Sequence, residues 1–144
     1  MQYVTNNHNL DDICELLNSF IISSVFTADI DRDSIAQLIK TSSVLTIVVY
    51  DNNNKAIGLF IGYAYKHPIF NKKVANDLIL YVLPESNGMI ATRLLKMYEV
   101  WAKDQEVSYV IISQGTGIGN LERVRSFYEH LGYKTTGFNT MKGI

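Results

Sequence analysis

Residues 77–103 read D-L-I-L-Y-V-L-P-E-S-N-G-M-I-A-T-R-L-L-K-M-Y-E-V-W-A-K. Leu78 to Leu83 has the uninterrupted apolar character of a buried strand, and Pro84, with no N–H to give a sheet ladder, breaks it. Gly88 then allows a sharp turn or the close approach of a ligand. Beyond it Ile90, Leu94, Met97 and Trp101 recur at i, i+4, i+7 and i+11. Ala91, Leu95, Tyr98 and Ala102 widen the stripe, which predicts a long amphipathic helix. A helix launched from a strand end presents unpaired N–H groups and a partial positive charge, and so makes an anion site. Arg93 and Lys96 lie in its first two turns and add formal charge. The expectation is that this corner holds the phosphates of a cofactor.

On the N-terminal side, Gln2 to Thr5 predicts a short strand closed by an Asn-rich turn over 6–8. Asn9 or Asp11 caps a helix from about Leu10 to Val25, and a second helix follows from Asp33 or Ser34 to Lys40. Val44 to Tyr50 and Ala56 to Tyr65 read as strands joined by the hairpin turn Asp51–Asn54. Gly58 and Gly62 within the second suggest bulges or close packing. On the C-terminal side, Val107 to Ser113 predicts a strand and Gly115 to Gly119 a glycine-rich loop. Leu121 to Leu131 predicts a helix with Gly132 as a left-handed cap. Tyr133 to Phe138 and Thr140 to Ile144 read as two final strands. The order β-α-α-β-β-β-α-β-α-β-β has no internal repeat and no linker, so residues 1–144 are expected to form a single α/β domain.

Composition narrows the classes. Charged residues are 19% and apolar ones 47%, which fits a globular chain; a net charge of −1 gives no reason to invoke nucleic acid. Residues 1–35 carry Asp11, Asp12, Glu15, Asp29, Asp31 and Asp33 against Arg32 alone. That acidic end suits an amine substrate, or a plain solvated surface. The single cysteine, Cys14, excludes an internal disulfide and reads as a buried, inert thiol. No metal site is expected, because His8 and His130 show no ligand spacing. The apolar run near Phe20 to Phe26 is too short to span a bilayer. The N-terminus lacks the basic segment of a secretion signal, so the cytoplasm is the expected location.

The segment Y-V-L-P-E-S-N-G-M-I-A-T-R-L-L resembles the acetyl-CoA-binding motif of the GNAT superfamily of N-acetyltransferases, where a strand ending in V-x-P-E leads into a pyrophosphate turn and a helix. N-L-E-R-V-R-S-F-Y-E-H-L-G-Y-K, residues 120–134, is similar to the family's later motif, a helix ending in F-Y-E-x-L-G-F. With H-P-I-F-N at 67–71 and E-V-W-A-K at 99–103, the pattern is most similar to small phage-encoded members, which would place the protein in a host cytoplasm. The resemblance covers roughly residues 44–144. In the family's usual Q/R-x-x-G-x-G/A turn, the first position falls on Asn87 and the two small positions on Ile90 and Thr92. Gly88 and Ala91 are the small residues nearby, and Arg93 is the nearest substitute for the missing arginine. The Asn usually found seven residues before the Tyr is Leu121 here, with Asn120 one place earlier.

The resemblance implies a mixed, mostly antiparallel twisted sheet flanked by helices, with central strands splayed between 77–83 and 107–113. It implies an acetyl-CoA-dependent N-acetyltransferase that moves an acetyl group directly to an amine in a ternary complex. Asn87, Gly88, Met89, Ile90, Ala91, Thr92 and Arg93 would hold the pyrophosphate, with Asn120 near the coenzyme. Backbone N–H groups of Val82 and Leu83 would meet pantetheine and the thioester. Tyr128 would serve the departing sulfur as acid, a phenol near ~10 being a credible donor to a thiolate. Asp77 would be the base; strand alternation puts it on one face with Ile79, Tyr81 and Leu83. His67, near ~6.5, is a second candidate base. The acceptor amine stays open between small molecules and proteins, and a homodimer is left open by analogy. The degraded turn supports an alternative, a coenzyme-binding or protein-interaction module of the same fold without efficient catalysis. The loop Gly115–Asn120 suggests a dinucleotide-binding rival, but Asn120 stands where the third glycine belongs and too few residues follow for a βαβ unit.

Overall fold

A computed structural model describes residues 1–6, 9–86, 88–114, 119–137 and 139–144. Among them the order is β1 (Gln2–Thr5), α1 (Leu10–Ser23), α2 (Arg32–Leu38), β2 (Val44–Tyr50), β3 (Ala56–Lys66), β4 (Lys73–Val82), α3 (Met89–Asp104), β5 (Tyr109–Ile111) and α4 (Leu121–His130). The strands form one open sheet in sequence order, antiparallel from β1 to β4 and parallel between β4 and β5. The parallel pair needs a crossover, and α3 supplies it.

Each face of the sheet carries its own apolar cluster. On one face Leu45, Ile47, Val49 and Phe60 pack with Ile90, Leu94, Tyr98 and Ala102 of α3. On the other, Val48, Leu59, Ile61, Ile79 and Tyr81 pack with Ile13 and Leu16 of α1 and with Ile39. The near-continuous burial of β2 and β3 follows from this double coverage. Gly62 is the close-packing position that the sequence suggested. A Cβ there would sit 2.8 Å from Phe60 Cε1 and 3.0 Å from Tyr98 Cε2.

Asn9 and Asp31 cap α1 and α2 by accepting from Asp12 N and Ser34 N. Both helices end earlier than expected, α1 at Ser23 and α2 at Leu38. The larger departure is C-terminal. Residues 133–137 and 139–144 contain no strand, so the two expected final strands are corrected to irregular chain. β5 spans Tyr109–Ile111 rather than Val107–Ser113. The β-branched run at 107–113 satisfies strand propensity, but its later residues part from β4 and find no ladder. Among the described residues no helix is long and apolar enough to cross a membrane.

Candidate active site

The sheet opens along one seam. β4 and β5 are in register only at Val74–Tyr109, Ala75–Val110 and Asn76–Ile111. The next residue of β4 is Asp77. Its carboxylate oxygen Oδ1 accepts the backbone N–H of Ser113 at 2.7 Å, so a side chain takes the place of the next ladder bond. Asp77 is 7% exposed. Burial pushes its carboxyl up from the ordinary 3.8 to about 6, against the lowering effect of the Ser113 N–H. A carboxylate at the point where two strands part, with a proton affinity near neutrality, is fitted for proton transfer.

A bulge decides where that carboxylate points. Across β3 the register shifts so that Ile61 faces Ile79 and Gly62 faces Asp77, which leaves Leu78 as a surplus residue on β4. Strand alternation resets there. Ile79 and Tyr81 join the α1-side cluster, whereas Leu80 and Val82 pack on the α3 side. Asp77 belongs to the α3 side as well, where its charge bears on Tyr98, Tyr128 and Tyr133. The shared face expected for Asp77, Ile79 and Tyr81 is therefore corrected.

At the far end of β4 the two expected amide donors separate. Leu83 N–H donates to Ile57 O at 2.9 Å, extending the β3 ladder, so it is already engaged. Consecutive residues of an antiparallel strand turn their N–H groups to opposite edges. The Val82 amide thus faces the outer edge of β4, beyond the reach of β5. Ser86 N–H then donates to Leu83 O at 2.9 Å and closes the turn after Pro84. α3 starts from Gly88, an N-cap with no side-chain hydrogen bond and no acidic residue in the first turn. A Cβ on Gly88 would meet nothing within 4 Å. Met89, Ile90, Ala91 and Thr92 form that first turn, and its positive dipole end opens to solvent.

Tyr128 comes from α4. Asn120 caps that helix through its Oδ1, which accepts Arg123 N–H at 3.1 Å. The residue expected beside a coenzyme is thus engaged in capping through that oxygen. At the other end Gly132 has φ +93°; Tyr133 N–H donates to Tyr128 O and Gly132 N–H to Glu129 O, both at 3.0 Å. This is the left-handed cap that the sequence predicts. It folds Tyr133 back along the helix, ring centroid 6.0 Å from that of Tyr128, and Tyr133 O–H donates to Glu99 Oε1 on α3 at 2.8 Å. The turn that carries Tyr128 is thereby tied to α3. Tyr128 is 7% exposed, and burial, then the charge of Asp77, pushes its phenol well above the usual range.

Other expected residues are placed elsewhere. The guanidinium carbon of Arg93 lies 4.2 Å over the Tyr3 ring, on the β1 side of α3. His67 stacks on Phe70 at 3.6 Å, and its Nδ1 accepts Ile69 N–H at 3.2 Å. That ring stiffens the β3–β4 loop. Asn87, the loop at 115–118 and His8 lie outside the described residues. Sequence reasoning missed Ser113, Tyr133, Glu99 and Leu78. Of these, only Tyr133 carried a local signal, as the aromatic residue directly after a capping glycine.

A family model described as the acetyltransferase (GNAT) family matches residues 10–133. No curated protein matches the sequence. The fold is similar to that of a putative acetyl transferase from Pyrococcus furiosus, at TM-score 0.76 and 18% identity, covering 99% of each chain. It is similar to a ribosomal-protein-alanine N-acetyltransferase from Brucella melitensis biovar Abortus 2308, at TM-score 0.72 and 15% identity, covering 100% of each chain. An aminoglycoside antibiotic 6'-N-acetyltransferase from Acinetobacter baumannii gives TM-score 0.73 and 20% identity, covering 99% of each chain. These likenesses are of architecture. The family match spans most of the chain, across the opened seam and both motif helices, and the chain belongs to the acetyltransferase (GNAT) family.

Proposed function

We propose that this single domain is an acetyl-CoA-dependent N-acetyltransferase, transferring the acetyl group directly to an amine with both substrates bound. The observation that carries the reading is Asp77, a buried carboxylate with its proton affinity raised to about 6, standing where β4 and β5 part. The residues fit the coenzyme's chemistry. The start of α3, where the N-cap Gly88 brings no side chain and leaves open space, suits a diphosphate. The outward amide of Val82 suits a carbonyl oxygen that gains charge as the amine attacks.

In this reading the amine nitrogen forms a bond to the acetyl carbon, the carbon–sulfur bond breaks, and the electron pair leaves with sulfur. Asp77 takes the proton that the nitrogen sheds. An alkylammonium near ~10.4 is too weak an acid for a carboxylate to deprotonate fully at rest. The nucleophile is therefore the minor neutral fraction of the amine, since an ammonium has no lone pair, and Asp77 takes the further proton that the nitrogen sheds as the N–C bond forms and its acidity rises. Tyr128 donates a hydrogen bond to the departing sulfur. Its raised phenol favours donation without early loss of the proton, a role narrower than that of the free acid expected from sequence.

The position of Arg93 on Tyr3 favours one second reading, an interaction module that keeps the fold and binds the coenzyme weakly, because this cation is already engaged by that ring. Calorimetric titration with acetyl-CoA, followed by a free-thiol assay over an amine panel, separates the two. Micromolar binding with amine-dependent thiol release supports the enzyme. Absence of heat at millimolar ligand overturns it.

A further inference from the structure

On the α1 side of the sheet, directly behind the bulge, is a concavity of about 250 Å³. All nine of its lining side chains are apolar, among them Phe20 and Ile21 of α1, Ile30 of the connection, Ile35 of α2, and Leu78 and Ile79 of β4. The bulge creates it. Because Leu78 is surplus, it and Ile79 both turn to this face, and Leu78 stays 49% exposed although it neighbours a buried carboxylate. Asp77 and Leu78 point to opposite faces of β4. Past Asn76, however, β5 no longer pairs with that edge, so the edge of β4 beside Leu78 is the side from which a bound amine would have to meet Asp77.

The geometry points to this concavity as the acceptor pocket, and to a small primary amine with a hydrocarbon substituent as the acceptor class. The inference rests on the acetyltransferase reading above. Three observations select that class. The volume gives room for roughly eight non-hydrogen atoms, counting each as about one water's share of liquid. A lining without a polar side chain gives no partner to the hydroxyls of an amino sugar or the amides of a peptide; burying those unpaired is unfavourable. The charge around the pocket suits a cation. Ile30 lies between the exposed carboxylates Asp29 and Asp31, and Arg32, the nearest cation in sequence, is paired with Asp11.

The test is a chain-length series. With saturating acetyl-CoA and free thiol as readout, kcat/KM is expected to rise about fourfold per methylene, on the order of a hundredfold from ethylamine to hexylamine, and to level off near eight carbons. Phenethylamine should fall with the longer chains. Ile30→Ser should lower kcat/KM for hexylamine about tenfold while moving acetyl-CoA affinity less than twofold. Ile21→Phe, which narrows the same space, should shift the optimum to shorter chains. A flat series overturns the proposal, as does preference for a polyhydroxylated amine or for a peptide with an N-terminal leucine. Titrating the amines alone against isoleucine and leucine methyl resonances decides the pocket without turnover. Shifts at Ile30, Ile35 and Leu78 that grow with chain length support it, and their absence overturns it. Failure of the acetyltransferase reading has a separate signature, in which acetyl-CoA gives no heat while these methyl shifts persist.

Discussion

Ser113 N–H reaches Asp77 Oδ1 across 2.7 Å at the first position where β4 and β5 have ceased to pair. This contact ties the ends of the seam together and anchors the carboxylate, on which the Ser113 side chain bears as well. Tyr98 adds a weaker tie from the helix above, its O–H donating to Ile111 O at 3.4 Å.

Asp77→Asn keeps an acceptor for Ser113 and removes the charge. The folded protein raises the carboxyl from 3.8 to about 6, so it favours the protonated form. The stabilising contribution of Asp77 is complete below 3.8 and is lost as pH rises through about 6. At pH 7.5 the Asn variant should therefore be more stable, by about 1–3 kcal/mol. Its turnover should fall on the order of a hundredfold. The wild-type acidic limb of kcat/KM, centred near pH 6, should vanish. Denaturant melts at several pH values and a pH–rate profile check all three.

Tyr128→Phe removes one hydroxyl from a packed ring. It should lower kcat on the order of a hundredfold and leave acetyl-CoA affinity within about twofold. Parallel calorimetry and kinetics decide the matter, since equal losses in both would assign Tyr128 to packing or binding.

Gly88→Asp places a carboxylate at the exposed start of α3, where the protein leaves open space. Stability should hold or rise by up to about 1 kcal/mol, because Asp is a favoured cap and its charge suits the helix dipole. Acetyl-CoA should bind at least about tenfold more weakly, through repulsion of its diphosphate. Unchanged affinity would move the anion site elsewhere.

Gly62→Ala tests the packing beneath the bulge that sets Asp77. Its methyl group would press on Phe60 and Tyr98, which are both fully buried and lie tilted against each other with ring centroids 4.6 Å apart. A loss of about 1–3 kcal/mol is expected in a thermal or denaturant melt.

Much of the frame was legible because periodicity and punctuation agreed. The 3.6-residue stripe from Ile90 to Trp101, Pro84 before it and Gly132 after Leu131 each have one physical reading, and α3 and the α4 cap follow them. What escaped lacked a contrast in polarity. Leu78 and Ile79 are both apolar, so no alternation could show that one of them is surplus; the face of Asp77 was misread as a result. Leu83 N–H is consumed by a partner 26 positions earlier in sequence, Ile57, which no local pattern reveals. Arg93 had the right charge near the right turn, yet the Tyr3 ring on the neighbouring flank engages it. Tyr133–Phe138 had strand-like composition, but described residues 133–137 form no strand: composition alone does not provide an edge to pair with.

The brevity of the parallel seam has a kinetic consequence. β2, β3 and β4 are joined by long antiparallel ladders between chain neighbours, whereas the β4–β5 pair has three rungs and must wait for α3 to cross over. Contacts that close large loops form late and open early. In native-state hydrogen exchange, amides of Tyr109–Ile111 should lose protection ahead of those in β3. The β5 edge would then breathe on a scaffold that stays shut, and if acetyl-CoA binds as proposed, its addition should slow that exchange.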